Sequence, residues 1–155
     1  MAQLSMHTPH GDLTIFDDDR GSLVALDWGW APTQEKTDVL LEAKRQLDLY
    51  FDGELTKFNL PLAPDGTAFQ KKVWGAINAI AYGKTLSYGD IATQLGSAAQ
   101  AVGNACGANP IPIIQPCHRV LAAGGKIGGY SGDGGAETKM AFLALEGNRQ
   151  IFDFY

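Results

Sequence analysis

The chain has 155 residues, of which 45% are hydrophobic and 19% are charged, and its formal net charge is −5. This length fits one globular domain or two small ones, and the apolar fraction is enough for an ordinary globular core, so the chain need not be disordered. No apolar run approaches the roughly 20 residues of a membrane span, so we expect a cytoplasmic protein with no membrane partner. The acidic balance argues against a protein that binds nucleic acid through its whole surface.

Alternating and helical patterns divide the first part of the chain. Apolar residues on both sides of a polar turn predict a β-hairpin over residues 11–28. Thr37 or Asp38 can begin a helix, because apolar residues then recur at helical spacing up to Phe51. The segment 60–66 contains two prolines and a glycine and is expected to resist regular structure. We therefore predict a domain boundary there, with domains over residues 1–62 and 63–155.

Helical patterns dominate the second part. An apolar stripe predicts a helix between Phe69 and Ile80, and Ser87 can cap the next helix with Asp90 as its capping-box partner. A helix of small residues follows from Ala98. Two short helices joined by a glycine-containing turn are typical of a helix-turn-helix, although many helical hairpins bind nothing. The net charge of residues 1–62 is −6 and that of residues 63–155 is +1, so a polyanion is not excluded there.

The segment 109–120 carries the candidate chemistry. Its three prolines forbid a helix and predict a stiff, extended passage that ends in Cys117, His118 and Arg119. A thiol beside an imidazole and a guanidinium is expected to have a lowered pKa, which is the environment of a nucleophile. The alternative is a small buried cysteine, since neighbours on an extended strand face opposite sides and would need a turn or a water to couple. The second thiol, Cys106, lies among small residues and is interpreted as packing.

The three histidines and two cysteines lack the spacing of a zinc site, so we expect no metal. The glycine pairs after Leu121 lack the spacing of a phosphate-binding loop and read as turns.

Several motifs together resemble one family. The stretch Pro116–Val120, with Asn109-Pro110 before it and Tyr130-Ser131-Gly132 after it, resembles the active-site signature of the O6-alkylguanine-DNA alkyltransferases. These are also called methylated-DNA–protein-cysteine methyltransferases. Further resemblances cover nearly the whole chain and lie at Thr8–Leu13, Phe69–Trp74, Gly83–Tyr88 and Leu145–Gly147.

The resemblance implies a fold and a reaction. The fold is a small ribonuclease-H-like α/β domain over residues 1–62 and a helical, winged-helix-type domain with a helix-turn-helix over residues 63–155. The reaction is DNA repair by irreversible, single-turnover transfer of the alkyl group from O6-alkylguanine to Cys117 of the protein itself. O4-alkylthymine is a poorer substrate. The implied partner is double-stranded DNA containing the damaged base, which is flipped out of the helix. No cofactor and no obligate protein partner are implied.

The resemblance also implies roles for single residues. Cys117 is the nucleophile and alkyl acceptor, His118 is its base through a water molecule, and Glu146 orients His118. Asn109 holds the active-site turn, and Tyr88 donates a hydrogen bond to the departing base. For Arg119 a structural hydrogen bond is the alternative to a DNA contact. The implied base-binding and DNA-binding set comprises Ser87, Tyr88, Gln100, Ala101, Gly103, Arg119, Val120, Tyr130 and Ser131.

The sequence departs from the family pattern in the second helix of the helix-turn-helix. Gln100 stands where the family usually has an arginine that replaces the flipped base, and no Lys or Arg lies between Lys84 and Arg119. Because phosphate contacts supply most non-specific affinity, we expect weak duplex binding and slow base flipping. The alternative function is an alkyl-damage sensor with weak or no transfer, although such relatives carry another residue in place of the cysteine. A transcription factor and a thiol hydrolase are less favoured by these residues.

Overall fold

The chain divides into two compact units. The computed structural model describes residues 1–128 and 135–147. The units comprise residues 1–65 and residues 66–155. The division lies three residues beyond the predicted boundary because Leu62 forms a β-bridge with Leu23, and the Ala63 amide donates to the Leu23 carbonyl at 2.8 Å. The expectation that residues 60–66 avoid regular pairing is therefore wrong at Leu62.

The first unit contains an antiparallel sheet of three strands. Its strands are β1 (Gln3–Thr8), β2 (Gly11–Asp17) and β3 (Leu23–Trp28), in the order β1-β2-β3. The predicted hairpin is confirmed as β2 and β3, whose register pairs Ile15 with Leu26. The sequence analysis did not predict β1, which pairs along its whole length with β2. The inward residues of this sheet are fully buried.

One helix, α1 (Asp38–Phe51), packs against β1 and β2. Thr37 is its N-cap, because the Thr37 hydroxyl accepts from the Leu40 amide at 3.3 Å. The same hydroxyl donates to the buried carboxylate of Asp17 at 2.7 Å, which fixes the start of the helix to the end of β2. The buried face of α1 contains Val39, Leu40, Ala43, Leu47 and Tyr50.

The described part of the second unit contains four α-helices, one short parallel strand pair and two short 3-10 helices. The Ser87 capping box with Asp90 is confirmed at the start of the helix after residue 87, and Gly96 ends that helix with a φ of 64°, a conformation that suits glycine. The helices are α2 (Ala68–Asn78), α3 (Tyr88–Leu95), α4 (Ala99–Gly107) and α5 (Ala136–Leu145), and the strands are β4 (Leu86–Ser87) and β5 (Val120–Leu121).

The core of the second unit lies between α2, α3 and α4. Trp74 is fully buried, and its indole nitrogen donates to the Ala105 carbonyl at 2.9 Å, which ties α2 to α4. Cys117 belongs to the same core, whose other members include Val73, Ile77, Ile91, Val102 and Cys106. The predicted fold class, a small α/β unit followed by a helical unit, is confirmed. No helix in the described residues is both long and apolar enough to cross a membrane.

The expectation of an extended passage up to Val120 is wrong at its end. Residues Cys117–Arg119 form one turn of 3-10 helix, in which the Arg119 amide donates to the Pro116 carbonyl at 2.9 Å. Proline restricts its own φ and the residue before it, but it leaves the following residues able to turn. The chain turns again earlier in the passage, where buried Ile113 has a φ of 73°.

Candidate active site

The 3-10 turn brings Cys117, His118 and Arg119 into the interior of the second unit. All three side chains are buried, and His118 is completely so. A 3-10 helix has three residues per turn, so neighbouring side chains no longer point to opposite faces as they do on a strand. Coupling between Cys117 and His118 requires a turn in the backbone, and the 3-10 helix is such a turn.

Glu146 connects the end of α5 to this turn. Its carboxylate accepts a hydrogen bond from His118 Nε2 at 2.6 Å and two from the Arg119 guanidinium, at 2.7 Å from Nε and 3.2 Å from Nη2. Arg119 Nη1 also donates to the Ile80 carbonyl at 2.6 Å. Arg119 is thus bonded inside the protein, which favours its structural alternative over a DNA contact.

Burial sets the resting protonation states of His118 and Cys117. Burial lowers the pKa of His118, although the hydrogen bond to Glu146 acts in the opposite direction, and the charge of Arg119 lowers it further. Burial raises the pKa of the Cys117 thiol, while a hydrogen bond from Asn109 opposes that shift. The expected low thiol pKa is therefore not found at rest: the site holds a neutral thiol beside a neutral imidazole.

Asn109 lies in a buried amide network within the segment that precedes the 3-10 turn. Its side-chain nitrogen donates to the Gln115 carbonyl at 2.9 Å, and its oxygen accepts from the Ile111 amide at 3.0 Å and from Gln115 Nε2 at 2.8 Å. Asn78 on α2 donates to the Gln115 side-chain oxygen at 3.3 Å. Sequence reasoning missed Gln115. A single amide inside an apolar, proline-rich run was the signal that could have identified it.

Tyr88 begins α3 and packs against the core that contains Cys117. A Cβ atom at Gly128 would lie 3.4 Å from Cε2 of the Tyr88 ring, so the backbone at Gly128 closely approaches that ring. Burial raises the pKa of Tyr88 to about 12, and the charges of Cys106 and Cys117 shift it in the same direction. The phenol therefore stays protonated and can donate a hydrogen bond.

The other predicted binding residues that the structure describes lie in two places. Gln100 is exposed in the first turn of α4, and Ala101 and Gly103 are half-buried on the same helix. Ser87 and Val120 belong to the parallel pair, in which Leu86 pairs with Val120 and Ser87 pairs with Leu121. Tyr130 and Ser131 lie outside the described residues.

Sequence reasoning also missed Lys139, whose side chain is fully buried on α5. Its ammonium lies 5.7 Å from the centroid of the Tyr88 ring. The sequence signal was the spacing of Lys139, because the apolar residues Phe142 and Leu143 follow it by three and four residues and so lie on the same helix face. Both are fully buried in the structure. A lysine on the apolar face of a helix is rarely buried without a partner.

The chain matches known proteins over both units. Residues 2–64 match the model of the 6-O-methylguanine DNA methyltransferase ribonuclease-like domain, and residues 68–148 match that of the DNA binding domain of the same family. A methylated-DNA–protein-cysteine methyltransferase of Methanosarcina acetivorans is 50% identical over 116 residues, which cover 74% of this chain and 73% of the relative. The constitutive methylated-DNA–protein-cysteine methyltransferase of Bacillus subtilis is 42% identical over 151 residues, covering 90% of this chain and 91% of that protein.

A solved structure is similar as well. The crystal structure of Mycobacterium tuberculosis OGT in complex with DNA has a TM-score of 0.86 and 42% sequence identity, and the match covers 96% of this chain and 94% of that one. Family models match both units, and relatives are 42–50% identical over most of the chain, so these matches agree on one family. The chain belongs to the 6-O-methylguanine DNA methyltransferase family.

Proposed function

We propose that this protein repairs O6-alkylguanine in double-stranded DNA by transferring the alkyl group to its own Cys117 in a single, irreversible turnover. The observation that carries the proposal is the buried contact of His118 with Glu146, directly beside a buried cysteine. Family relatives named methylated-DNA–protein-cysteine methyltransferases support the same reaction. O4-alkylthymine is the proposed poorer substrate.

The resting thiol of Cys117 needs a base, because burial raises its pKa. We assign this task to His118, which is neutral at rest and accepts the thiol proton through one water molecule. Glu146 fixes the orientation of the imidazole and stabilises the imidazolium that forms. Arg119 holds Glu146 in place from the other side through two hydrogen bonds.

The chemical step is a displacement at the alkyl carbon. The Cys117 sulfur forms a bond to that carbon while the bond from the carbon to guanine O6 breaks, and the electron pair moves onto the guanine. A hydrogen bond from the protonated phenol of Tyr88 stabilises the charge that develops on the departing base. The departing guanine anion takes up one proton from water, which balances the thiol proton that His118 received, so the products are intact guanine and a thioether on the protein and no cofactor takes part. Asn109 keeps the nucleophile's turn in position throughout.

The proposed DNA contacts lie on α3, α4 and the strand pair. The face of α4 offers small side chains at Ala101 and Gly103, and the space around a Cβ at Gly103 is open within the described residues. Such a surface can approach a groove closely. Gln100 fills the position of the displaced base with a neutral side chain, so flipping is expected to be slow. We propose that Ser87, Val120, Tyr130 and Ser131 contact the flipped nucleotide.

We further propose that the protein works in the cytoplasm. A nucleophilic thiol survives best in a reducing compartment, and the two cysteines of the described residues form no disulfide.

The test is a single-turnover assay on a duplex that contains one O6-methylguanine, with no cofactor added. The protein should restore one guanine per molecule and then stop, and Cys106→Ala should do the same, whereas Cys117→Ala should restore none. Binding of the duplex without any restored guanine would contradict the proposal and would favour a damage sensor. Restoration by the Cys117→Ala variant would also contradict it.

A further inference from the structure

Lys139 is a buried cation that the reaction as proposed does not use. Its side chain is fully buried in α5, seven residues before Glu146. Seven residues are two helical turns, so Lys139 and Glu146 lie on the same face of the helix. That face packs against the 3-10 turn that carries Cys117.

Four ionisable groups from three other elements lie near the ammonium or interact with it electrostatically. Tyr88 on α3 presents its ring at 5.7 Å from the Lys139 nitrogen. The negative charges of Cys106 on α4 and of Cys117 on the 3-10 turn raise the pKa of Lys139. The positive charge of Lys139 in turn lowers the pKa values of Cys117 and His118. Three of these four groups become negative when they lose a proton.

A buried ammonium is unfavourable unless an opposite charge or polar group compensates for it. Burial lowers the pKa of Lys139 to about 8, so the ammonium form still predominates at neutral pH. When Cys117 loses its proton, the negative charge of the thiolate compensates for the buried positive charge of Lys139. The buried ammonium therefore favours the thiolate form of Cys117. Lys139 acts on both cysteines, because its charge lowers the pKa of each thiol.

We propose that Lys139 is a positioning residue of the transfer reaction, which stabilises the Cys117 thiolate as His118 takes its proton and holds the Tyr88 ring from one side. This inference rests on the proposed function, because the thiolate of Cys117 is the nucleophile of the proposed alkyl transfer. It assigns no proton transfer to Lys139 itself. Its charge acts through Cys117, and its contact acts through Tyr88.

The test is the pH dependence of Cys117 alkylation by iodoacetamide, which needs no DNA. It is done in a Cys106→Ala background and followed by intact mass. Lys139→Met should raise the midpoint pH by about one to three units, as expected for loss of a nearby opposite charge. The rate at neutral pH should fall about tenfold for each unit. Lys139→Arg should keep the midpoint close to that of the parent.

The matched control is Lys71→Met, which removes the same charge from an exposed position on α2 and should leave the midpoint unchanged. If Lys139→Met lowers the melting temperature strongly, Lys139→Gln, measured well below its own melting temperature, must show the same upward shift. An unchanged midpoint in either folded neutral variant would overturn the inference. A shift of equal size in Lys71→Met would overturn it too.

Methyl transfer from duplex DNA separates this inference from the proposed function. If the parent transfers the methyl group, Lys139→Met should transfer it at least tenfold more slowly with unchanged duplex affinity, and equal transfer rates would overturn the positioning role. If the parent transfers nothing, the proposed function fails, while the iodoacetamide midpoints still decide whether Lys139 controls the thiol.

Discussion

Replacing Glu146 with glutamine tests the buried charge arrangement behind the 3-10 turn. The Glu146 carboxylate receives three hydrogen bonds, at 2.6, 2.7 and 3.2 Å, and its side chain is completely buried. Glutamine has nearly the same shape as glutamate but carries no charge. Its amide nitrogen would face a hydrogen-bond donor of His118 or Arg119, and that donor would lose its acceptor. The Arg119 guanidinium would then remain buried without a counter-charge.

The expected loss is large for two separate reasons. Removing one partner of a buried ion pair lowers the free energy of unfolding by about 3–5 kcal/mol. The pKa of His118 also falls further, because the hydrogen bond and charge of Glu146 are what raise it. A weaker base removes less of the thiol proton, and general-base catalysis typically contributes about 10²–10⁴ to a rate. We therefore expect methyl transfer to slow by at least a hundredfold.

Urea unfolding gives the first quantity, and single-turnover transfer at a temperature where the variant is folded gives the second. The matched control is Glu137→Gln, which removes the same charge from an exposed position in the first turn of the same helix. It should lower the free energy of unfolding by less than about 1 kcal/mol and leave transfer unchanged. A Glu146→Gln variant that unfolds and transfers like the control would refute the reasoning.

Three further predictions concern DNA binding, the Tyr88 pocket and acid stability. Gln100→Arg should tighten duplex binding about tenfold and steepen its dependence on the logarithm of salt concentration by about 0.9, measured by fluorescence titration; unchanged affinity would contradict it. Gly128→Ala should lower the free energy of unfolding by about 1–2 kcal/mol, because φ is 71°, and should slow transfer, because the strained backbone at this position lies against the Tyr88 ring; Gly53→Ala, which has a φ of 78° and open space around its Cβ, is the control and should leave transfer unchanged. Burial keeps His118 neutral when folded, so only the unfolded chain takes up its proton between about pH 6.5 and 5. The free energy of unfolding should therefore fall on acidification by up to about 1.4 kcal/mol per pH unit from this group, and His118→Asn should remove that part of the slope; the part from His10, whose pKa burial also lowers, should remain.

Short sequence patterns predicted the helix cap and the hairpin, because both structures depend on residues that are close together in the chain. Capping by Ser87 and Asp90 follows from a pattern of four residues, and the structure has both hydrogen bonds of the box. The hairpin of β2 and β3 likewise follows from alternation around a polar turn. Strand β1 was missed because its short run of mixed polarity gives a weak signal until β2 pairs with it.

The buried charges could not be predicted from local sequence. Arg119 and Glu146 are 27 residues apart, and their contact exists only because the end of α5 packs behind the 3-10 turn. The resemblance to the family implied Glu146 as a partner of His118, and the proximity is observed. It did not imply that Arg119 shares the same carboxylate. Nor did it identify Lys139, since burial of a lysine depends on which helices cover it.

The central claim is that the alkyl group ends on the sulfur of Cys117, and fragment mass spectrometry of the reacted protein tests it most directly. Both cysteines lie in one tryptic peptide, residues 85–119, because no Lys or Arg lies between Lys84 and Arg119. Fragment ions of that peptide must therefore separate Cys106 from Cys117. The account predicts one methyl group per protein molecule, carried entirely by the fragments that contain Cys117. A methyl group on Cys106, or an unmodified peptide after the duplex has lost its methyl group, would contradict it.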